Sequence, residues 1–207
     1  MAALPMVRSR TRRTLTLLAG VALLSAGMIA GLTTAQAQDA SPASGGAYKI
    51  DSAHSSVIFK VKHMEAANFY GRIDDVSGSF DLRDGGSVNV VIKTESVNSG
   101  NEKRDQHLRG PDFFSCKEFP EATFKSKSVR KTGDKTYEVS GDLTLHGVTR
   151  PLTVKIEETG TGKGRRGESL IGIETRFPIK RGEFGMNYMP GPLSDEVELI
   201  VALEGAR

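Results

Sequence analysis

Beyond Tyr48 the chain alternates apolar and polar residues with period two, the mark of strands that bury one face. Val57, Phe59 and Val61 share one side, with Lys60 and Lys62 on the other. Val76, Gly78, Phe80 and Leu82 alternate with Ser77, Ser79 and Asp81, and Val88, Val90 and Ile92 with Asn89 and Lys93. Further runs cover 122–128, 137–145, 151–157, 170–178 and 196–204, and in the last Val197, Leu199, Val201 and Leu203 oppose Glu196, Glu198 and Glu204. About eight strands are predicted. Asp84-Gly85-Gly86, residues 131–135 and His146-Gly147-Val148 read as hairpin connections, and 160–167 as a longer, basic, glycine-rich loop with a solvated tip.

One segment departs from this period. Ser99 followed by Glu102 has capping-box spacing, residues 101–109 are good helix formers, and Gly110-Pro111 ends the run. Asp105 and Arg109 lie one turn apart, as do Arg104 and Leu108. Eight strands, one short helix and no parallel crossover give an all-β barrel or sandwich, and the pattern leaves both open. Closing the sheet would remove exposed edges.

The first 37 residues change the picture by setting location. Arg8, Arg10, Arg12 and Arg13 precede an apolar stretch from Leu15 to Leu32, and Ala35-Gln36-Ala37 supplies small residues at a cleavage site. That order is an export signal, cut after Ala37, and points to a periplasmic protein. No Cys stands at the junction for a lipid anchor, and Thr11-Arg12-Arg13 fits a twin-arginine signal poorly. Residues 38–47 read as a flexible lead-in and 48–207 as one domain. Four of the 28 Lys and Arg residues and none of the 25 acids precede residue 38, so the remainder balances at 24 against 25. The basic character belongs to the segment removed, and compositional support for nucleic-acid binding goes with it.

Candidate chemistry is sparse. A single cysteine, Cys116, excludes an intramolecular disulfide and reads as a buried bystander. His54, His63, His107 and His146 show no metal-ligand spacing, so no metal is expected, and His63 marks the rim of its strand. There is no nucleophile elbow. Arg104, Asp105 and His107 put cation, acid and base on one helical turn, a group more typical of a solvated face than of catalysis. Nine phenylalanines spread over many segments either fill an ordinary core or line a cavity, and composition does not separate the two.

Asp51-Ser-Ala-His54-Ser55 with Val57-Ile-Phe59-Lys-Val61-Lys-His63 resembles the opening of the YceI-like, polyisoprenoid-binding family. The resemblance continues in order through Gly78-Ser-Phe80, Arg104-Asp105-Gln-His107-Leu108, Asp112-Phe113-Phe114 and Phe119-Pro120-Glu-Ala-Thr-Phe124. It ends with 141–149, Arg181-Gly-Glu-Phe184-Gly185-Met186 and Leu193-Ser-Asp195-Glu-Val197, and covers nearly all of 48–204. It implies an extended, lipocalin-like antiparallel barrel that holds a long-chain isoprenoid or other amphiphile. It implies no catalytic residues, and no cofactor beyond the bound lipid.

On this reading Phe59, Val61, His63, Phe80, Val90 and Ile92 line the cavity, with Phe124, Leu143, Leu145, Phe177, Leu199 and Val201. Phe113 and Phe114 pack across one barrel end, and Phe184 and Met186 complete the lipid-binding set. Arg104, His107 and Arg181 are the head-group candidates, beside His63, and Tyr188 and Met189 contribute to a flexible wall. The faces rest on strand parity, and a one-residue slip would exchange them. The expected partner is a lipophilic small molecule, with transient membrane contact and a mouth shared between two subunits as further expectations. The rivals are an isoprenoid-modifying or redox enzyme using Arg104, Asp105 and His107, a sequestering role in stress, and a filled barrel that serves protein interaction.

Overall fold

The computed structural model describes residues 46–207; the expected export signal, the cleavage expected after Ala37 and most of the expected lead-in lie outside them. The described strands are β1 (Tyr48–His63), β2 (Ala67–Ile73), β3 (Val76–Phe80), β4 (Val88–Lys93), β5 (Val97–Asn98), β6 (Glu121–Lys131), β7 (Thr136–Leu145), β8 (Val148–Lys163), β9 (Ser169–Lys180) and β10 (Leu193–Ala206). One α-helix, α1 (Glu102–Arg109), lies among them. Strands β3, β4, β6, β7, β8, β9 and β10 pair in that order, and β1 joins β10 to β3, which closes an antiparallel barrel of eight strands. The choice between barrel and sandwich is thereby made.

The two further strands escaped the pattern. β2 pairs with β1 from Val57↔Ile73 to His63↔Ala67 and carries β5 on its other edge, extending the wall beside α1. Its inward face reads Phe69, Gly71, Ile73, and the glycine interrupts the apolar alternation. A Cβ at Gly71 would lie 2.2 Å from the Phe59 ring, which occupies that space from the opposite strand. The glycine-rich loop is also shorter than expected. β8 and β9 stay paired out to Lys163↔Ser169, which leaves residues 164–168 as the tip.

The helix begins as expected but with a different cap. Asn101 accepts from the Arg104 N–H, whereas Ser99 gives both its backbone N–H and its hydroxyl to Asp105. Asp105 is buried in consequence, not solvated. Arg109 turns from it to the Glu95 and Val97 carbonyls.

β1 bends to complete the barrel. Between the pairs Asp51↔Glu204 and Ser56↔Ala202 it carries extra residues, a bulge of the kind that sharpens local twist. The Asp51 carboxylate accepts the Ala53 N–H at 2.9 Å, the Ser55 hydroxyl donates to the Asp51 carbonyl, and the Glu204 N–H donates to the Ser55 hydroxyl. The Asp51–Ser55 motif thus fixes the bend.

One end of the barrel is solid. Phe80 and Val139 are wholly buried, with Val76, Val88 and Ile156 nearly so. Phe80 stacks on Tyr48 at 5.9 Å, and a Cβ at Gly205 would press its ring at 2.7 Å. Gly78, at φ +127°, lets β3 approach β4 where a Cβ would meet the Asn89 carbonyl. Truncating a fully buried aromatic in such packing costs about 3–5 kcal/mol. Phe80→Ala is therefore expected to lower the urea-unfolding free energy by about 3 kcal/mol or more; a loss below about 1 kcal/mol would mean that this end is not a packed floor.

Candidate functional site

Toward the other end the inward residues no longer fill the interior. Phe59, Val61, Val90, Ile92, Phe124, Leu143, Phe177, Leu199 and Val201 all face the axis yet remain only half-buried. Phe59, Val61, Ile92, Leu143 and Leu199 border a chamber of about 420 Å³, whose walls come from β1, β2, β4, β6, β7, β9 and β10 and whose cover comes from α1 and residues 113–114 and 186–193. A second chamber of about 100 Å³ lies toward the solid end, lined by Val88, Val90, Phe124, Val154, Ile173 and Phe177 among others. Val57, Ile92, Ala122, Leu143 and Leu199 border both. Nearly every lining group is apolar.

Polar groups gather where α1 crosses the opening. Arg104 lies 4.4 Å over the Phe69 ring, and its Nε and Nη2 donate to the hydroxyl and carbonyl of Ser99. Ser99 is itself held by buried Asp105, so a chain of hydrogen bonds orients the guanidinium while its Nη1 has no partner among the described residues. His107 Nε2 sits 2.8 Å from the Asp112 carboxylate. The His107, Phe113 and Tyr188 rings meet edge-on with centroids 5.1–5.3 Å apart. His63 stands at the exposed rim.

Three expected site residues have other positions. Phe80 faces inward but belongs to the packed floor and borders neither chamber. Phe184 packs with Ala122, Leu145 and Met186 and borders a separate hollow beside Arg150 and Pro178. Arg181 reaches the chamber wall, but it is buried and its N–H groups donate to the Met186, Tyr188, Met189, Leu193 and Ser194 carbonyls. Those bonds gather residues 186–194 into one cover and leave no donor for a head group. The remaining expected residues, Leu145, Phe113, Phe114 and Met186 included, border a chamber, except Tyr188, whose ring packs on His107 and Phe113 at the mouth. Sequence reasoning missed Ala67, Phe69 and Ile73, which came with the unrecognised β2, and Leu108, which the helix spacing from Arg104 had signalled.

Two further groups lie apart from the chambers. Asp51, His54 and Glu204 converge within metal-ligand reach across the β1 bulge, which spacing along the chain did not indicate. His54 Nδ1 is 2.9 Å from Asp51 and 3.8 Å from Glu204, and the hydrogen bond to Asp51, reinforced by both carboxylate charges, raises its pKa. His54 is exposed, Asp51 and Glu204 are half-buried, and the trio is accounted for as an ion pair. Cys116 is buried, as expected, and burial pushes its thiol up.

An antiparallel barrel packed solid at one end and hollow, apolar and arginine-capped at the other defines a lipocalin-like protein with an interior ligand cavity. By comparison with known sequences, the chain belongs to the YceI-like domain family, whose model matches residues 48–205. A UPF0312 protein of Yersinia pestis is 42% identical over 166 residues, covering 77% of this chain and 86% of its own. The solved YceI protein of Campylobacter jejuni is 32% identical with a TM-score of 0.64, over 70% of this chain and 89% of that one. A polyisoprenoid-binding domain from Saccharophagus degradans, implicated in plant cell wall breakdown, has a TM-score of 0.62 over 78% of this chain and 99% of that one. At 19% identity that last likeness carries the fold alone.

The two arginines of the site are expected to separate on substitution. Arg181→Met strands five carbonyls under the cover and should cost at least about 3 kcal/mol in chemical denaturation. Arg104→Met, at an exposed position, should cost less than about 1 kcal/mol. Equal losses would contradict these assignments.

Proposed function

We propose that the protein is a periplasmic carrier that holds a long-chain amphiphile in the barrel non-covalently and does not turn it over. The observation that carries this reading is the ring of inward apolar residues left half-buried around a chamber of about 420 Å³. An ordinary core at protein packing density leaves no such space. The chamber speaks against the filled-barrel alternative in the same measure. Membership of the YceI-like family, with a barrel of the same fold as the polyisoprenoid-binding domain of Saccharophagus degradans, supports a lipid as the ligand. The basic, apolar and Ala35-Gln36-Ala37 order at the start supports the periplasm as the place.

The energetics suit a tail-driven ligand. Each CH₂-sized unit moved from water into such a wall contributes about 0.8 kcal/mol, so ten give roughly 8 kcal/mol before ordering costs, the scale of a micromolar complex. The head sets orientation at the mouth, where Arg104 Nη1 and His107 meet it. The enzymatic alternative has less support. Asp105, its acid, faces Ser99 inside the helix packing and does not border the chamber.

The test begins with the full 207-residue chain, expressed with its own leader and recovered from the periplasm without detergent. Native mass spectrometry and organic extraction are expected to give one isoprenoid, quinone or fatty amide per protein. Arg104→Met should then weaken an anionic ligand about tenfold, the scale of one charge-assisted bond, and leave a neutral one nearly unchanged. An apo mass, together with failure of added polyprenyl lipids and fatty amides to bind, would remove the carrier reading.

A further inference from the structure

Resting on the binding role proposed above, we infer that the barrel measures its ligand's tail. It buries about twenty carbons and leaves any longer chain protruding at the mouth, with Phe124 and the floor behind it as the stop. The two chambers, about 420 and 100 Å³, adjoin at the residues bordering both, Val57, Ile92, Ala122, Leu143 and Leu199, and are taken together as the ligand's path. A dry cavity of about 150 Å³ takes a benzene ring, so the outer chamber holds close to three ring equivalents and the inner one less than one, together about twenty carbons or four isoprene units.

The inner end does not yield. Phe124 lies across Gly141, where a Cβ would come within 2.8 Å of the ring, so the ring already fills the recess in the wall and has nowhere to retreat. Beyond it Val139 and Phe80 are wholly buried, and Phe80 is stacked on Tyr48. An interior packed at this density moves only by breaking its packing. The outer end offers no equivalent compartment. Carbons past the His107, Phe113 and Tyr188 rings enter water, since His107 and Tyr188 are exposed. Chain carbons inside the path each strengthen binding about fourfold, and carbons outside it add nothing comparable.

The test is a length series on the delipidated mature protein, using prenyl monophosphates of two, three, four, six and eight isoprene units. The corresponding alcohols run in parallel, so that a head-group effect appears as an offset between series. Affinity is expected to climb at least about tenfold per unit from two to four units, and to change less than about threefold in total from four to eight. In Phe124→Ala the plateau should move out by about one unit, the ring's volume having been added to the path; Phe124→Leu gives a smaller shift in the same direction if the alanine variant does not fold. Affinity that keeps climbing to eight units in the unsubstituted protein overturns the length limit while leaving the carrier reading intact. A plateau that stays at four units in both variants overturns Phe124 as the stop. Failure of every length in both series removes the carrier reading, and this inference with it.

Discussion

The interior exists because β1 and β10 pair along nearly their whole lengths, from Lys49↔Ala206 to His63↔Leu193. An eight-stranded sheet that stopped short of this ladder would expose two edges and have no inside. β1 meets the demand by serving three neighbours: β10 along one edge, and on the other β3 near its start and β2 beyond Val57. A strand that changes partner along one edge has to bend. The Asp51–Ser55 bulge supplies that bend and is tied down by its own carboxylate and by the Ser55 hydroxyl. Asp51–Ser55, where the resemblance to the family begins, is thus explained by closure rather than by ligand contact.

Closure also divides the barrel. Where Phe80, Tyr48 and Val139 meet, the side chains reach one another and the end is sealed. Where β2 and α1 widen the wall, the side chains do not fill the interior, and the space persists. Burial and charge then sort the polar residues. Arg181, under the cover, is saturated by carbonyls and acts as a staple for residues 186–194. Arg104, at the surface, is only partly engaged and keeps a donor at the mouth. An Asp–Ser–Arg chain along α1 fixes that donor's direction.

Much of this was legible in the chain. Period two located the eight barrel strands and their inward faces, because each strand is buried on one side only. It did not locate β2, whose central inward position is Gly71: the missing side chain is supplied by Phe59 from the neighbouring strand, an exchange visible only in three dimensions. It mistook 160–163 for loop because Gly160 and Gly162 carry no side chain to alternate, although the backbone ladder continues. Phe80 was placed at the site because parity reports which way a residue faces. Whether space lies in front of it depends on how far the barrel has narrowed at that level. Nothing local marks Arg181 as saturated, since its acceptors are carbonyls up to thirteen residues away.

The measurement that bears most directly on the hollow interior is a crystal structure of the protein soaked with an amphiphile brominated at the tail end. Anomalous scattering should place the bromine inside the barrel, near Phe124 and Phe177, with the head beside Arg104. Bromine outside the strands, or side chains filling the space between Phe59 and Phe124, would contradict the cavity and everything built on it.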